Sequence, residues 1–504
     1  MTPDSSRKLF LCVLVFTLAV RAVLAAAIPI TGDEAYFVLW GRHLDYGYYD
    51  HPPMVGWLLY ALLPLGGSEL VVRLPALLIP PILALAIQRT LRPRDETKAW
   101  LVATLWLVLP LDVVNIFITS DTPLVLFATL SVLALYRAWS DGPMGWYAFS
   151  GAALGLAFLS KYFAVLLGVA YLVLFLVRGA DRRAWRGFAL LLLSSAPFVL
   201  INLAWNYQHC WNNVLFNLYS RNLALTWSPQ GLAMFAGMLV YVLTPWLLLY
   251  LWRQRRGVRA LLGGHAAGAV FLYTLVVPLL LLGLVAVRRT IGLHWVLAFL
   301  PILPLLAFTV LDARQLRRSV FYSAAFSVLH LALLGAVLTT PLELWRDSGQ
   351  YRNLVMGTQP ETLLARIDAE APAFHLGTGS YTSASVLAFY GERDVLVFGD
   401  GSYHARQDDL LTDFRALDGE NIAVLAKSEA SAARAEPFFA RTELRIIELE
   451  GASFRLVLGY NFDFATYKKT VLSAVRDRYY RIPPWLPAGS CYFCERYFPD
   501  ADCR

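Results

Sequence analysis

The sequence predicts a polytopic α-helical membrane protein with a small C-terminal α/β domain, and three observations lead there. Of its 504 residues, 58% are hydrophobic and only 16% charged, a balance too apolar for an ordinary water-soluble domain. Eleven apolar runs precede residue 340, each near the length of about 20 residues that crosses a bilayer. Beyond residue 340 the chain turns charged and turn-rich, with short apolar runs at 395–398, 422–425 and 454–458 that read as strands. The expected division is therefore a transmembrane domain over residues 1–340 and an extracytoplasmic α/β domain over 341–504.

The apolar runs lie near 9–28, 69–88, 99–117, 122–139, 145–160, 161–177, 187–205, 231–252, 266–287, 291–311 and 319–338. The first follows Arg7 and Lys8. It is long enough to span, and many more spans come after it, so it reads as an uncleaved anchor rather than a signal peptide. Charge placement tests the layout independently of hydropathy. With the N-terminus in the cytoplasm, the inner loops hold Arg89, Arg92, Arg94 and Lys98, then Arg178, Arg182, Arg183 and Arg186, then Arg253, Arg255, Arg256 and Arg259, and finally Arg314, Arg317 and Arg318. The outer loops hold few cations, chiefly Arg42, Arg73, Lys161, Arg221, Arg288 and Arg289. The net charge of +7 is thus a topology signal, and no basic stripe is present to suggest a nucleic-acid partner.

Two outer loops are long. Residues 29–68 contain Thr31-Gly32-Asp33-Glu34-Ala35-Tyr36, Tyr49-Asp50-His51-Pro52-Pro53 and an apolar stretch, Met54 to Leu65, too short to span. That stretch reads as helix lying along the membrane face. The loop near 206–230 is rich in Asn, Trp and Tyr, including Asn206, His209, Trp211, Asn217 and Tyr219. Aromatic faces beside amides suit a sugar ring; an interfacial aromatic belt is the plainer reading. Of five cysteines, Cys491, Cys494 and Cys503 share the tail, where an outer location permits a structural disulfide, idle thiols being the alternative. Cys491 and Cys494 form only half of a zinc site. The run Gly377 to Ser380 lacks a dinucleotide fingerprint and is given no weight.

The ionisable groups gather on one side of this topology. Asp33, Asp50, His51, Asp121, Lys161, His209, Arg221, Arg288, Arg289 and His294 all fall at the outer surface although far apart in sequence. Plain structural readings exist for several. Thr31 and Glu34 fit a capping box, which accounts for Glu34 better than for Asp33. Asp50 to Pro53 can be a rigid turn, and Asp121 can cap the helix that follows it. Lys161 is harder to dismiss, because an unpaired ammonium at the bilayer centre costs about 2.5–3.5 kcal/mol. Carboxylates take protons from hydroxyls and cations hold phosphate, the mixture that a lipid-linked phosphosugar needs.

The motifs Gly32-Asp33-Glu34, Asp50-His51-Pro52-Pro53, Ser120-Asp121-Thr122-Pro123, Ser160-Lys161-Tyr162, the run from Trp205-Asn206 through His209 to Trp211, and Ser228-Pro229 together resemble the bacterial branch of the protein O-mannosyltransferase and lipid A aminoarabinose transferase family, within the GT-C glycosyltransferases. The likeness covers roughly residues 9–340. It implies a GT-C fold and an enzyme of the inner membrane. Such an enzyme takes one sugar from a polyprenyl-phosphate carrier and places it, with inversion, on an envelope glycan, lipid or protein at the outer face. By that resemblance Asp33 is the catalytic aspartate, Asp121 the second family aspartate, and Lys161 binds the carrier phosphate. Glu34, Asp50, His51, Tyr162, Asn206, His209, Arg221, Arg288, Arg289 and His294 join them as substrate-binding candidates. Two departures stand out: His51 replaces a lysine of the aminoarabinose branch, and Tyr36 an arginine, so aminoarabinose is doubtful as the donated sugar. No cofactor is expected. A divalent ion is the alternative that Asp33, Asp50, His43 and His51 leave open, since related oligosaccharide-transferring enzymes use one. The rival function is a flippase or transporter of lipid-linked sugar, for which the internal repeats of transporters are missing.

Overall fold

A computed structural model describes all residues except 141, 180, 221–228, 264–265, 403–405, 501–502 and 504. The chain packs as two compact units, each built from separate stretches of sequence. A helical unit comprises Met1–Ile28, Leu65–Ile201 and Leu225–Leu338; a mixed unit comprises Pro29–Pro64, Asn202–Ala224 and Thr339–Arg504.

In the helical unit the apolar runs become helices because nothing else satisfies backbone groups in lipid. Six helices among the described residues are long and apolar enough to cross a membrane: Pro3–Ala27, Glu69–Leu91, Asp121–Trp139, Arg182–Gln208, Ala269–Ala286 and Ala313–Thr339. Two bent pairs, Pro229–Val242 with Pro245–Arg253 at 89° and Leu293–Phe299 with Ile302–Val310 at 50°, raise the count to eight if each is one span. The eleven expected runs are all helical over most of their length, but three fall short. Gly145–Ser160 and Ala164–Arg178 have 16 and 15 residues, about 24 Å of rise or less against about 30 Å of hydrocarbon. The third breaks after Leu107, where Pro110 starts a separate five-residue helix.

Asp121–Trp139 is the central helix, largely buried, whereas Pro3–Ala27, Arg182–Gln208 and Ala313–Thr339 are largely exposed. The peripheral helices thus leave most of their apolar surface for lipid. The centre is joined by hydroxyls: Ser131 Oγ lies 2.7 Å from the Tyr171 hydroxyl and donates to Ser150 O at 2.8 Å, the kind of polar contact that specifies helix packing where the hydrophobic effect is absent.

The mixed unit holds a five-stranded sheet: β1 (His375–Thr378), β2 (Leu396–Val397), β3 (Ile422–Ala426), β4 (Phe439–Leu449) and β5 (Ala452–Phe462), in the order β2-β1-β3-β5-β4. β2, β1 and β3 are parallel; β3 and β4 each pair antiparallel with β5. Alternation puts Ala423, Leu425, Leu456 and Leu458 on one face, under the helices Tyr351–Thr358, Pro360–Glu370 and Tyr381–Gly391. Val424, Ala426 and Val457 face the other side, against Phe398, Phe438, Tyr467 and the helix Glu429–Ala435. The expected strands at 395–398, 422–425 and 454–458 correspond to β2, β3 and β5.

Two disulfides stitch this unit. Cys494 pairs with Cys503 within the tail, and Cys491 pairs with Cys210, 281 residues away. Sequence spacing gives no hint of so distant a partner for Cys491.

Candidate active site

In the mixed unit, Pro29–Pro64 forms two helices, Gly32–Arg42 and Met54–Leu62. Thr31 caps the first: its Oγ1 accepts from Glu34 N at 3.3 Å, while Glu34 Oε2 accepts from Thr31 N at 3.1 Å and Thr31 Oγ1 at 3.0 Å. Glu34 is fully buried in this role. Asp33, the neighbouring residue, is exposed and accepts a hydrogen bond from the Tyr381 hydroxyl at 2.9 Å. The two carboxylates, adjacent in sequence, thus do different things. Gly32 lets its helix approach Tyr381–Gly391, because a Cβ there would lie 2.6 Å from Thr382 Cβ.

Asp50 and His51 lie next along the same segment, His51 Nε2 4.0 Å from Asp50 Oδ2, with Asp50 buried. Tyr36 is buried, its hydroxyl accepting from Gln407 N at 3.1 Å. The buried amides Asn206 and Asn213 of the amide-rich loop hold one another and the backbone. Asn206 and Asn213 are 1% exposed; Asn206 Nδ2 donates to Asn213 Oδ1 at 3.2 Å, and Asn213 Nδ2 donates to Tyr48 O and Tyr49 O at 2.5 and 2.9 Å. His209 stacks on Trp205 at 4.3 Å with its Nε2 3.8 Å from Asp45 Oδ2. Arg221 and Ser228 lie outside the described residues.

Sequence reasoning missed a charged network in the same unit. Arg406 grips Asp409 through Nε and Nη2 at 2.6 and 3.0 Å, and the Tyr480 hydroxyl donates to Asp409 Oδ2 at 2.7 Å. Burial opposes charge on Arg406, but the Asp409 carboxylate outweighs it and holds the guanidinium above its ordinary value. Asp408 is pushed up to about 7, first by burial and then by Asp409. The residue is partly exposed, but its Oδ2 is shut off from solvent without a hydrogen-bond partner among the described residues.

In the helical unit Asp121 opens the central helix, and Lys161 follows the last residue of Gly145–Ser160. Lys161 Nζ stands 2.6 Å from Asp121 Oδ2, both side chains buried. Asp121 Oδ1 is buried without a partner among the described residues. From the pair runs a line of two packed rings with a cation at each end: Lys161 lies over Phe163 at 5.1 Å, Phe163 packs on Trp295 at 4.6 Å, and Arg289 lies over Trp295 at 4.9 Å. Tyr162 is half-buried; Arg288 and His294 are exposed. This unit therefore brings Asp121, Lys161 and Arg289 into one packed neighbourhood, a set that can bind an anion.

Two further cations are buried: Arg21, which sequence reading passed over, and Arg73, read there as an outer-loop cation. Arg21 pairs with Asp112 at 3.5 Å and donates to the carbonyls of Asp112, Ala76 and Asn115. Arg73 donates to Ala25 O at 2.8 Å and Ile28 O at 2.6 Å. Among the described residues, Cys491, Cys494 and Cys503 form the one group of three metal-ligating side chains with converging donor atoms, and each is in a disulfide.

Residues 50–205 match the family model of dolichyl-phosphate-mannose-protein mannosyltransferases. The matched stretch holds Asp50, His51, Asp121 and Lys161 and stops short of Asp33. A curated relative, the lipid A galacturonosyltransferase RgtD of Rhizobium johnstonii, is 32% identical over 182 residues. That alignment spans 35% of this chain and only 38% of the relative's length. The fold is that of ArnT from Cupriavidus metallidurans in its apo crystal structure, with a TM-score of 0.60 at 16% identity over 90% of this chain and 98% of that one. The archaeal oligosaccharyltransferase AglB from Archaeoglobus fulgidus aligns at 11% identity over 90% of this chain and 74% of its own, at a TM-score of 0.47.

Proposed function

We propose that this chain is a GT-C glycosyltransferase, an enzyme that moves one sugar from a polyprenyl-phosphate carrier to an acceptor at the outer face of the bacterial inner membrane. One observation carries the reading: the buried Asp121–Lys161 pair, inside the stretch that matches the mannosyltransferase model. An ammonium kept in an apolar setting is costly, and a carrier phosphate reaching it through lipid gives it a use. The disulfides favour an oxidising compartment for the mixed unit, in keeping with an extracytoplasmic site.

In the reaction we propose, the acceptor hydroxyl loses its proton to Asp33 and attacks the anomeric carbon. The bond from that carbon to the phosphate oxygen breaks with inversion. Polyprenyl phosphate departs with one more negative charge, which Lys161, Arg288, Arg289 and His294 stabilise. Asp121 positions Lys161. Tyr381 orients one oxygen of Asp33 and leaves the other for the proton. Asp50 and His51 lie along the same segment as Asp33 and line the substrate's path in this reading. Asp33 serves as base and cations hold the phosphate, so no cofactor is required, and exhaustive chelation is expected to leave turnover intact. The curated relative's name supplies galacturonic acid and lipid A as the first sugar and acceptor to try; another envelope glycan, a lipid or a protein are the other acceptors.

The test uses purified protein in nanodiscs with labelled polyprenyl-phosphate galacturonic acid and lipid A. Wild type is expected to release polyprenyl phosphate in step with sugar transfer. Asp33→Asn should reduce turnover about 100-fold or more, the lower range for losing a general base, with thermal unfolding unchanged. Normal turnover by that variant rules out the assigned role, and sugar crossing a vesicle bilayer with its carrier bond intact identifies a flippase instead.

A further inference from the structure

The parallel strands β2, β1 and β3 end along one edge of the sheet. From β1 the chain enters Tyr381–Gly391, whose Ala384, Leu387 and Ala388 pack on the face of Leu376, Ala423 and Leu425. From β3 it enters Glu429–Ala435, whose Ala432 and Ala435 pack on the opposite face with Val424 and Ala426. Neighbouring parallel strands whose connections leave to opposite faces open a crevice at their carboxyl ends, the place where open α/β sheets bind ligands. A cavity of about 360 Å³ lies there, within the range of about 300–1,000 Å³ for small-molecule sites.

Its lining has the chemistry of a specific ligand. Gly379 follows β1, Gly399 and Asp400 follow β2, Lys427 follows β3, and Arg434 and Phe438 close the side. Gly399 has a φ of +97° and open space where a Cβ would stand, so bare backbone faces the cavity. No ion pair among the described residues takes up Lys427, Arg434 or Asp400. Two cations, one carboxylate and an aromatic side chain on a partly apolar wall suit neither a purely apolar ligand nor a bare anion.

We propose that this cavity binds a saccharide bearing one anionic group, a carboxylate or a phosphate. Lys427 and Arg434 hold the anion, Asp400 accepts from ring hydroxyls, and Phe438 meets the C–H face. The site lies within the sheet region and does not rest on the transfer reading.

Full-length protein in phosphatidylcholine nanodiscs is titrated with galacturonic acid, glucose 1-phosphate and glucose, using saturation-transfer-difference NMR. At least one anionic sugar is expected to saturate at or below about 1 mM, with glucose about tenfold weaker or worse; which of the two saturates tells carboxylate from phosphate. Lys427→Ala with Arg434→Ala, both exposed positions, should weaken the anionic sugar at least about tenfold, the effect of a lost charged hydrogen bond. Val471→Trp, which fills the cavity from another wall, should remove binding altogether. Absence of saturation by both anionic sugars overturns the proposal, and so does anion binding that survives either variant unchanged.

Discussion

Buried charge is treated differently in the two units. In the helical unit the buried cations among the described residues are Arg21, Arg73 and Lys161. Arg73 is spent on backbone carbonyls, and Arg21 on carbonyls and Asp112 with only its Nε left over. Both tie the first helix to neighbouring segments. Lys161 instead meets a carboxylate whose second oxygen is unsatisfied. In the mixed unit, buried charge sits in a hydroxyl-rich mesh in which Arg406, Asp409, Tyr480, Tyr492 and Asn212 are linked in sequence. The comparison teaches that a cation spent mainly on backbone carbonyls binds segments together, whereas a cation paired with a carboxylate that keeps an open acceptor is the one to test for function.

The sharpest way to break that distinction is at Lys161. Lys161→Ala should abolish transfer, by about 100-fold or more, and also destabilise by about 3–5 kcal/mol, because Asp121 is left buried and alone. Asp121→Leu with Lys161→Leu should recover the stability and not the activity; recovery of both would make the pair structural. Arg73→Met is the contrasting case. It should cost about 1–3 kcal/mol for each carbonyl left bare, seen as a lower Tm, while the folded fraction keeps wild-type turnover.

In the mixed unit, Cys210→Ser should cost about 2–4 kcal/mol by releasing a long loop, and a non-reducing peptide map should recover Cys210 linked to Cys491. A smaller effect is expected at Asp408, whose folded value near 7 exceeds the ordinary carboxylate value. The folded state therefore binds the extra proton between about pH 4 and 7, and stability falls as pH rises through that window. Asp408→Asn should raise the Tm at pH 8 by the equivalent of roughly 1–2 kcal/mol, with the gain fading toward pH 4. A gain that persists at pH 4 would assign it to something other than ionisation.

The helices were legible because lipid leaves the backbone little choice and apolar runs announce themselves. Their breaks were less so: Pro110 sits in an apolar stretch where hydropathy averages over it. The capping box at Thr31 and Glu34 was readable because it is local, three residues apart. Arg21 was hidden inside the first apolar run, where one cation among many aliphatics barely moves the average. Cys210 with Cys491, and Tyr480 with Asp409, were invisible for the opposite reason, since tertiary folding alone brings together the separate stretches of the mixed unit. β1 went unread because its short, glycine-containing run carries little apolar signal; its pairing with β3 supplies the order.

The central claim is that Lys161 is kept for the carrier phosphate, and polyprenyl phosphate without sugar probes it most directly. Equilibrium binding to wild type and to the Asp121→Leu/Lys161→Leu protein in nanodiscs should differ at least about tenfold, with both proteins unfolding at similar temperatures. Equal affinity in the two would contradict the account.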